Sequence, residues 1–147
     1  MTGNKRQTDF FTILSAEDDP DDRFMMEQAF ADSGLSGTLL FVEDGEELLD
    51  YLLRRKRYTE INSSPRPSCI LLDLNMPRKD GREALWEIRQ IPEFRELSIV
   101  VLTTSDSQRD KEYCGKLGVS DYVTKPNSLT ELIDLMKKIG GLCAAQQ

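Results

Sequence analysis

Short apolar stretches alternate five times along this chain with longer stretches whose apolar residues recur at helical spacing. Three of the short stretches are apolar nearly throughout, which is typical of parallel strands covered by helices on both faces. Strict alternation of strand and helix predicts an α/β fold with right-handed crossovers, and in open sheets of this class the functional site lies at the carboxyl ends of the strands. The predicted strands are residues 10–16, 38–43, 68–73, 97–104 and 121–125, and the predicted helices begin at Asp19 and Asp44 and cover residues 81–91, 107–118 and 128–139.

The first predicted helix has recognisable end signals and an apolar face. Asp19 followed by Pro20 is typical of a helix start, because the aspartate caps free amides and proline suits the first helical position. Gly34 predicts the end of the helix. The predicted buried face comprises Phe24, Met25, Ala29 and Phe30.

The length of 147 residues suits one domain with a single core. We expect an N-terminal extension over residues 1–9, a domain over residues 10–140 and a short C-terminal tail over residues 141–147. A net charge of −7 disfavours binding to nucleic acid or to an anionic membrane. No apolar run is long enough to span a bilayer, and the first ten residues lack the apolar core of a signal peptide, so we expect a cytoplasmic protein.

Two residue types exclude several kinds of chemistry. The three cysteines lack the spacing of a metal site and are expected to be free thiols in a reducing compartment. The chain contains no histidine, which excludes a histidine catalytic base, a histidine zinc site and a phosphohistidine carried by this chain.

Polar residues follow the predicted strands at the points where the strands end. Glu17 and Asp18 follow the first strand, and Asp73 ends the third with a carboxylate that is costly to bury without a partner. If these strands are neighbours, the carboxylates converge and repel one another unless a divalent cation such as Mg²⁺ binds them. A carboxylate is also a nucleophile toward phosphorus, so Thr103 and Lys125 at the same edge favour an aspartyl phosphate at Asp73.

The segments "AEDD", "LLDLNMPRKDG", "VLTTS" and "DYVTKP" together resemble the receiver domain of two-component response regulators. Their spacing agrees as well, with 30 positions between Asp73 and Thr103 and 52 between Asp73 and Lys125. The resemblance covers residues 10–140 and implies the flavodoxin-like (βα)5 fold of CheY, a doubly wound parallel sheet with strand order 2-1-3-4-5. The stretches "PRPSCILLDLNMPRKDGRE" and "VVLTTS" resemble more particularly the small single-domain regulators that accompany bacterial phytochromes.

The resemblance implies a phosphoacceptor rather than an enzyme that turns over a separate substrate. A sensor histidine kinase, here of the phytochrome type, would transfer its phosphoryl group to Asp73 in a Mg²⁺-dependent reaction. Thr103 and Lys125 would contact the phosphoryl oxygens, Thr103 and Tyr122 would form the switch, and the Lys125–Pro126 peptide bond would be cis. The implied Mg²⁺ ligands are Glu17 through water, Asp18, Asp73 and the backbone carbonyl of Asn75.

Two other functions stay open at this level. A phosphatase of the haloacid dehalogenase type also uses an aspartyl nucleophile with Mg²⁺, but it needs a second acid where this chain has Asn75, and it carries the pair on its first strand. A flavodoxin-type flavin carrier needs a hydroxyl- and glycine-rich loop after the first strand, where "AEDDPDD" would repel a phosphate. For Tyr122, simple core packing is the alternative to a switching role.

The last predicted helix carries more apolar surface than one core stripe requires. Leu135 lies beyond its expected buried face, and Leu142 follows Gly140 and Gly141. Beside an exposed edge strand, this apolar excess predicts a homodimer that uses the strand 5 and helix 5 side. Only "GGLCAAQQ" follows the predicted helix, so we expect the protein to signal through a contact with another protein. The alternative is that Leu135 packs within its own chain, which would leave a monomer. The expected buried face comprises Leu129, Leu132, Ile133, Met136 and Ile139.

Overall fold

Five parallel strands form one sheet in the computed structural model, which describes residues 11–60 and 64–146. The sheet order is β2–β1–β3–β4–β5, so the predicted fold class and strand order are confirmed. Every pairing is parallel, with Ala16 of β1 in register with Val42 of β2 and Leu72 of β3. The predicted extension over residues 1–9 lies outside the described residues. The strands are β1 (Thr12–Ala16), β2 (Thr38–Val42), β3 (Cys69–Leu72), β4 (Ser98–Thr103) and β5 (Asp121–Thr124).

Helices cover both faces of this sheet. One apolar cluster packs α2, α3 and α4 against the sheet through residues such as Leu48 and Leu85, and the other packs α1 and α5 through residues such as Met26 and Met136. Of the helices in the described ranges, none has the length and apolar character needed to cross a membrane. The helices are α1 (Pro20–Ser33), α2 (Gly45–Leu52), α3 (Gly81–Gln90), α4 (Gln108–Lys116) and α5 (Leu129–Gln146), and short 3₁₀ turns cover Lys56–Tyr58 and Pro92–Phe94.

The ends of α1 are as predicted, but its buried face is not. Asp19 caps the helix by accepting from two backbone amides of the first turn, and Gly34 ends it in the left-handed conformation at φ 76°. The predicted burial of Phe24 and Met25 is wrong, because these side chains are 67% and 38% exposed. Met26 and Ala29 face the sheet instead, and at about 100° per residue the side of the helix at Phe24 points away from them.

The last helix is longer than predicted. It continues through Gly140 and Gly141 to Gln146, so the predicted helix end at residue 139 is wrong. A Cβ at Gly140 would lie 2.6 Å from a methyl carbon of Leu35, so a larger residue there would require the Leu35 side chain to shift. Each helical glycine costs about 1 kcal/mol, and burial of Cys143 in the next turn offsets that cost.

The observation that suggested a dimer is also corrected by the structure. Leu135 is only 8% exposed and packs in the apolar cluster of its own chain, while Leu142 packs partly against the same cluster. The apolar stripe of α5 is wider than one row of contacts because the helix packs against α1 and against β3 and β4. Leu135 therefore belongs to the core and offers no free surface.

Arg89, in the last turn of α3, ties together the loops at the amino-terminal edge of the sheet. Its guanidinium donates to the carbonyl oxygens of Phe94 and Leu97, which precede β4, at 2.8 and 2.9 Å. It also donates to the carbonyl oxygens of Leu117 and Gly118, which precede β5, at 2.7 and 3.0 Å. One half-buried side chain thus satisfies four carbonyl groups at the end of the sheet opposite the candidate site.

Candidate functional site

Asp73 lies directly after β3 at the carboxyl edge of the sheet and is buried. Its backbone amide donates to the carbonyl of Ala16 at 3.2 Å, which continues the pairing of β3 with β1 for one residue. Its Oδ1 accepts from the backbone amide of Asn75 at 3.1 Å, and its Oδ2 accepts from Lys125 Nζ at 3.1 Å. The buried carboxylate therefore has an amide and an ammonium as partners, and Asn75 is held beside it.

The loop that follows Asp73 is closed by backbone contacts. The amide of Gly81 donates to the carbonyl of Leu74 at 3.0 Å, and a Cβ at Gly81 would lie 2.2 Å from the carbonyl oxygen of Asp73. The amide of Gly45 in turn donates to the carbonyl of Lys79 at 2.8 Å, which joins the loop to the start of α2. Only glycine fits at Gly81, so the loop that carries Asn75 has a fixed path.

Lys125, at the end of β5, reaches three carboxylates with one ammonium group. Its Nζ lies 2.6 Å from Asp22 Oδ2, 2.8 Å from Glu17 Oε1 and 3.1 Å from Asp73 Oδ2. Burial alone would lower the pKa of Lys125, but hydrogen bonding with Asp22 and the nearby Glu17 and Asp73 outweigh burial and raise it. Lys125 is therefore a cation in the resting site. Asp22 was not predicted, although its position four residues after Asp18, in the first turn of α1, was a usable signal.

Glu17 is the most deeply buried acid of the site, with 1% of its surface exposed. Its Oε2 accepts from the amide of Asp19 at 3.1 Å, and its backbone carbonyl accepts from Arg23 Nε at 2.6 Å. Its Oε1 faces Lys125 as an ion pair but has no partner with hydrogen-bond geometry among the described residues. Burial raises the pKa of Glu17 from 4.5 to about 6, although Lys125 opposes the shift.

The carboxylates of Glu17, Asp18 and Asp73 can together hold a divalent cation. One oxygen of each lies within 4.8 Å of the others, and Asp18 is exposed, so the cluster opens to solvent. Divalent cations such as Mg²⁺ bind hard oxygen ligands at sites that leave room for water. The buried Oε1 of Glu17 has no hydrogen-bond donor among the described residues, and a bound cation would take the place of one. The residues present therefore fit a divalent cation at this edge.

Thr103 and Tyr122 meet at the loop between β4 and α4. Thr103 is buried at the end of β4, its carbonyl accepts from the amide of Lys125 at 2.8 Å, and its Oγ1 accepts from the amide of Ser105 at 3.4 Å. Tyr122 is half-buried, and its hydroxyl donates to the carbonyl of Ser105 at 2.8 Å. Ser105 thus connects the two residues that the sequence suggested as a switch.

A second ion pair, which the sequence did not reveal, lies next to that loop. Arg82 of α3 donates through two nitrogens to the two oxygens of Asp110 in α4, each at 2.7 Å. Ser105 Oγ donates to Asp110 Oδ2 at 2.6 Å. Hydrogen bonding from Arg82 lowers the pKa of Asp110 to about 2. Arg82 and Asp110 are 28 positions apart in the sequence, and no motif joins them.

The peptide bond between Lys125 and Pro126 is trans, so the predicted cis bond is wrong. The trans form is the more stable isomer of most X–Pro bonds, by about 0.5–1 kcal/mol. In this arrangement the ammonium of Lys125 still reaches Asp73, so the contact at the site does not require the cis isomer.

Comparison with known proteins gives one consistent result. The family model described as the response regulator receiver domain matches residues 13–137. The response regulator Rcp1 of Synechocystis sp. is 37% identical over 127 residues, which cover 86% of this chain and 84% of Rcp1. Among solved structures, the phosphorylated cyanobacterial phytochrome response regulator RcpA has a TM-score of 0.82 at 34% identity, covering 94% of this chain and 96% of RcpA. The Mn²⁺-bound form of Rcp1 has a TM-score of 0.77 at 36% identity, covering 88% of this chain and 91% of Rcp1.

Proposed function

The chain belongs to the response regulator receiver domain family and is a two-component response regulator, and we propose that it serves phytochrome-type signalling with Asp73 as phosphoacceptor. The single observation that supports the site is the contact of buried Asp73 with Lys125, beside the carboxylates of Glu17 and Asp18. The similarity to the phytochrome response regulator RcpA supports a phytochrome-type sensor histidine kinase as the phosphodonor.

In the proposed reaction, a carboxylate oxygen of Asp73 attacks the phosphorus atom of a kinase phosphohistidine. The new O–P bond forms as the P–N bond to the imidazole breaks, and the imidazole leaves with the electron pair. This chemistry depends mainly on positioning and on neutralising the charge of the phosphoryl oxygens. Lys125 would supply a cation and Thr103 a hydroxyl donor at the end of the neighbouring strand.

We propose that the cation of this site is Mg²⁺. Asp18 and Asp73 would bind it directly, Glu17 would bind through water, and the fixed loop after Asp73 would present the carbonyl of Asn75. The bound cation would neutralise negative charge on the phosphoryl group. The Mn²⁺-bound form of Rcp1 supports a divalent cation in a protein of this kind.

The chain would assist its own phosphorylation and dephosphorylation and would not turn over a separate phosphate ester. Asn75 stands where a phosphatase of the haloacid dehalogenase type needs its second acid, and this lack of a general acid argues against such turnover. We also place the protein in the cytoplasm, since its three buried cysteines are all unpaired, as reducing conditions would leave them.

The exposed face of α1 is the proposed docking surface for the kinase. Phe24 and Met25 are apolar and exposed there, and Met25 also lines a cavity of about 60 Å³ together with Asp22 and Lys125. An apolar patch beside Asp22 and Lys125, of which Lys125 contacts Asp73, suits a partner that must bring a phosphohistidine close to Asp73.

The signal would leave through the surface of α4 and β5. Phosphorylation would draw the hydroxyl of Thr103 toward the new oxygens, and its contact with Ser105 would transmit the movement to Tyr122. If Thr103→Ala still shows the wild-type increase in partner binding on phosphorylation, this coupling is wrong.

We keep the homodimer as a proposal that rests on the edge strand alone. β5 ends the sheet, and its Val123 is half-buried. Thr124 is exposed on this strand, so Thr124→Lys adds charge to the edge without entering the core. Sedimentation equilibrium is expected to show a dimer for wild type and a monomer for Thr124→Lys, and a monomeric wild type would contradict the dimer.

The test of the phosphoacceptor uses acetyl phosphate with Mg²⁺ and mass spectrometry of the intact chain. We expect wild type to gain one acid-labile phosphoryl group and Asp73→Asn to gain none. The phosphatase alternative is tested with p-nitrophenyl phosphate, which wild type should not hydrolyse at a catalytic rate. A phosphoryl group on Asp73→Asn would overturn the proposal. So would steady hydrolysis of p-nitrophenyl phosphate by wild type that Asp73→Asn abolishes.

A further inference from the structure

Asp22 makes the shortest of the three contacts to Lys125, and nothing in the motifs of the chain marks it. Its Oδ2 accepts from Lys125 Nζ at 2.6 Å, whereas Asp73 Oδ2 lies at 3.1 Å. Asp22 belongs to α1 and Lys125 to the end of β5, so the contact joins two elements 103 positions apart in the sequence. The ion pair lines a small cavity together with Glu17, and its ammonium contacts Asp73.

Asp22 differs from the other two partners of Lys125. Glu17 and Asp73 also belong to the cluster whose oxygens can hold a divalent cation, and Asp22 does not. An oxygen that binds a cation is less available to an ammonium group, because both draw on the same negative charge. When Glu17 and Asp73 bind a divalent cation, Asp22 is therefore the carboxylate that stays available to hold Lys125.

The position of Asp22 is well defined by the start of α1. Asp19 accepts from the backbone amides of Asp21 and Asp22 at 2.8 and 3.2 Å, which fixes the first turn. A carboxylate is favoured there because the free amides give the start of a helix a partial positive charge. The short side chain of Asp22 thus offers an anion at a fixed place, whereas the four-carbon stem of Lys125 is flexible.

We propose that Asp22 is a positioning residue that holds the ammonium of Lys125 beside Asp73, where an incoming phosphoryl oxygen meets it. This inference rests on the proposed function of Asp73. Without Asp22, the ammonium is free to turn toward Glu17, whose Oε1 forms an ion pair with it at 2.8 Å and has no hydrogen-bond donor among the described residues. Asp22 acts through Lys125 and does not touch the reacting atoms.

The first experiment compares Asp22→Asn with Asp21→Asn, which removes the same charge from an exposed neighbour in the same turn. The rate of phosphorylation by acetyl phosphate with Mg²⁺ should fall by about tenfold to a hundredfold in Asp22→Asn, the cost of misplacing a reacting group. Asp21→Asn should phosphorylate like wild type. Equal rates in Asp22→Asn and Asp21→Asn would overturn the proposal.

The second experiment tests whether Asp22 acts through Lys125. In a Lys125→Ala background, Asp22→Asn should cause no further loss, because the group that it positions is absent. A loss of the same size in both backgrounds would assign Asp22 a different role. Asp22→Glu keeps the charge with a longer reach and should recover part of the rate.

A third measurement does not depend on phosphorylation. In EDTA, labelling of Lys125 by an amine-acylating reagent is followed by mass spectrometry of its peptide. Labelling should increase in Asp22→Asn and stay unchanged in Asp21→Asn, and no increase in Asp22→Asn would contradict the contact. If wild type takes no phosphoryl group on Asp73, the proposed function itself fails, whereas a normal wild type with an equally fast Asp22→Asn refutes only this inference.

Discussion

Glu17 and Asp110 each lie beside a cation, yet their pKa values are displaced in opposite directions. Burial raises the pKa of Glu17 to about 6 even though Lys125 is 2.8 Å away. Hydrogen bonding from Arg82 lowers the pKa of Asp110 to about 2. The two carboxylates show that a nearby cation does not by itself decide how an acid titrates.

The difference comes first from the burial of Glu17 and then from how each cation is shared. Lys125 divides one compact ammonium among three carboxylates at a buried edge, so each receives part of its charge. Arg82 directs two N–H groups at the two oxygens of Asp110, in the paired geometry that makes charge-assisted hydrogen bonds strong. The sheet edge therefore keeps excess negative charge that can bind a divalent cation. The charge of Asp110, between α3 and α4, is already neutralised by Arg82.

The largest expected effect is that of Asp73→Asn, which should remove phosphorylation without lowering thermal stability. Asp73→Asn should abolish phosphorylation by acetyl phosphate, because the nucleophilic carboxylate is gone. In EDTA the same variant should unfold at a temperature no lower than wild type, since it relieves repulsion with Glu17 and Asp18. Thermal unfolding followed by circular dichroism measures this, and a much lower midpoint would mean that the cluster stabilises the fold.

Asp110→Asn should lower the free energy of unfolding by about 2 kcal/mol at pH 7, the size implied by a pKa moved from 3.8 to about 2. The folded-state pKa is depressed, so the contribution of Asp110 is complete above pH 3.8 and is lost as the pH falls through 2. Urea unfolding across that range should show the two proteins converging. Glu87→Gln, which removes the ion pair between Glu87 of α3 and Lys79 of the preceding loop, is the control and should change stability by less than about 0.5 kcal/mol.

Glu17→Gln should raise the free energy of unfolding at neutral pH, whereas Asp110→Asn lowers it. The folded-state pKa of Glu17 is raised, so its favourable contribution is complete below pH 4.5 and is lost as the pH rises through about 6. In EDTA at pH 7.5, Glu17→Gln should therefore be more stable than wild type by roughly 1–2 kcal/mol, with the gain shrinking toward pH 4.5. Added Mg²⁺ should favour wild type, and a gain that persists at pH 4.5 would refute the assignment.

Ser105→Ala should have the smallest effect. It removes the hydroxyl that donates to Asp110 at 2.6 Å and leaves the carbonyl that binds Tyr122. A loss of about 0.5–1.5 kcal/mol is expected for one hydrogen bond of this kind. The loss should disappear in an Asp110→Asn background, which urea unfolding of the double variant can show.

The fold and the edge residues were predictable because each follows from position along a strand. Glu17, Asp18, Asp73, Asn75, Thr103 and Lys125 come directly after or at the ends of strands, and parallel strands bring such ends to one edge. Arg82 and Asp110 meet only because α3 and α4 pack side by side, which no local pattern records. The buried face of α1 was misassigned because Phe24 and Met25 are apolar, although their place on the helix leaves them in solvent.

The end of α5 was misjudged for a related reason. Gly140 and Gly141 read as a helix stop, because glycine disfavours helix in isolation. The helix continues because residues on both sides of the glycines, Ile139 and Cys143, are buried in the core, and this packing overrides the local preference.

Arg89 has a consequence for how the protein responds to salt. Its four partners are carbonyl oxygens that carry no net charge, so dissolved ions have no opposite charge to compete for at that joint. The exposed ion pairs of the surface weaken as ionic strength rises, because mobile ions screen the attraction between exposed charges. The screening length is about 10 Å at 0.1 M salt and becomes shorter at higher concentrations. Concentrated salt should therefore weaken exposed pairs such as Lys138–Asp121, while the hydrogen bonds of Arg89 keep the loops before β4 and β5 joined.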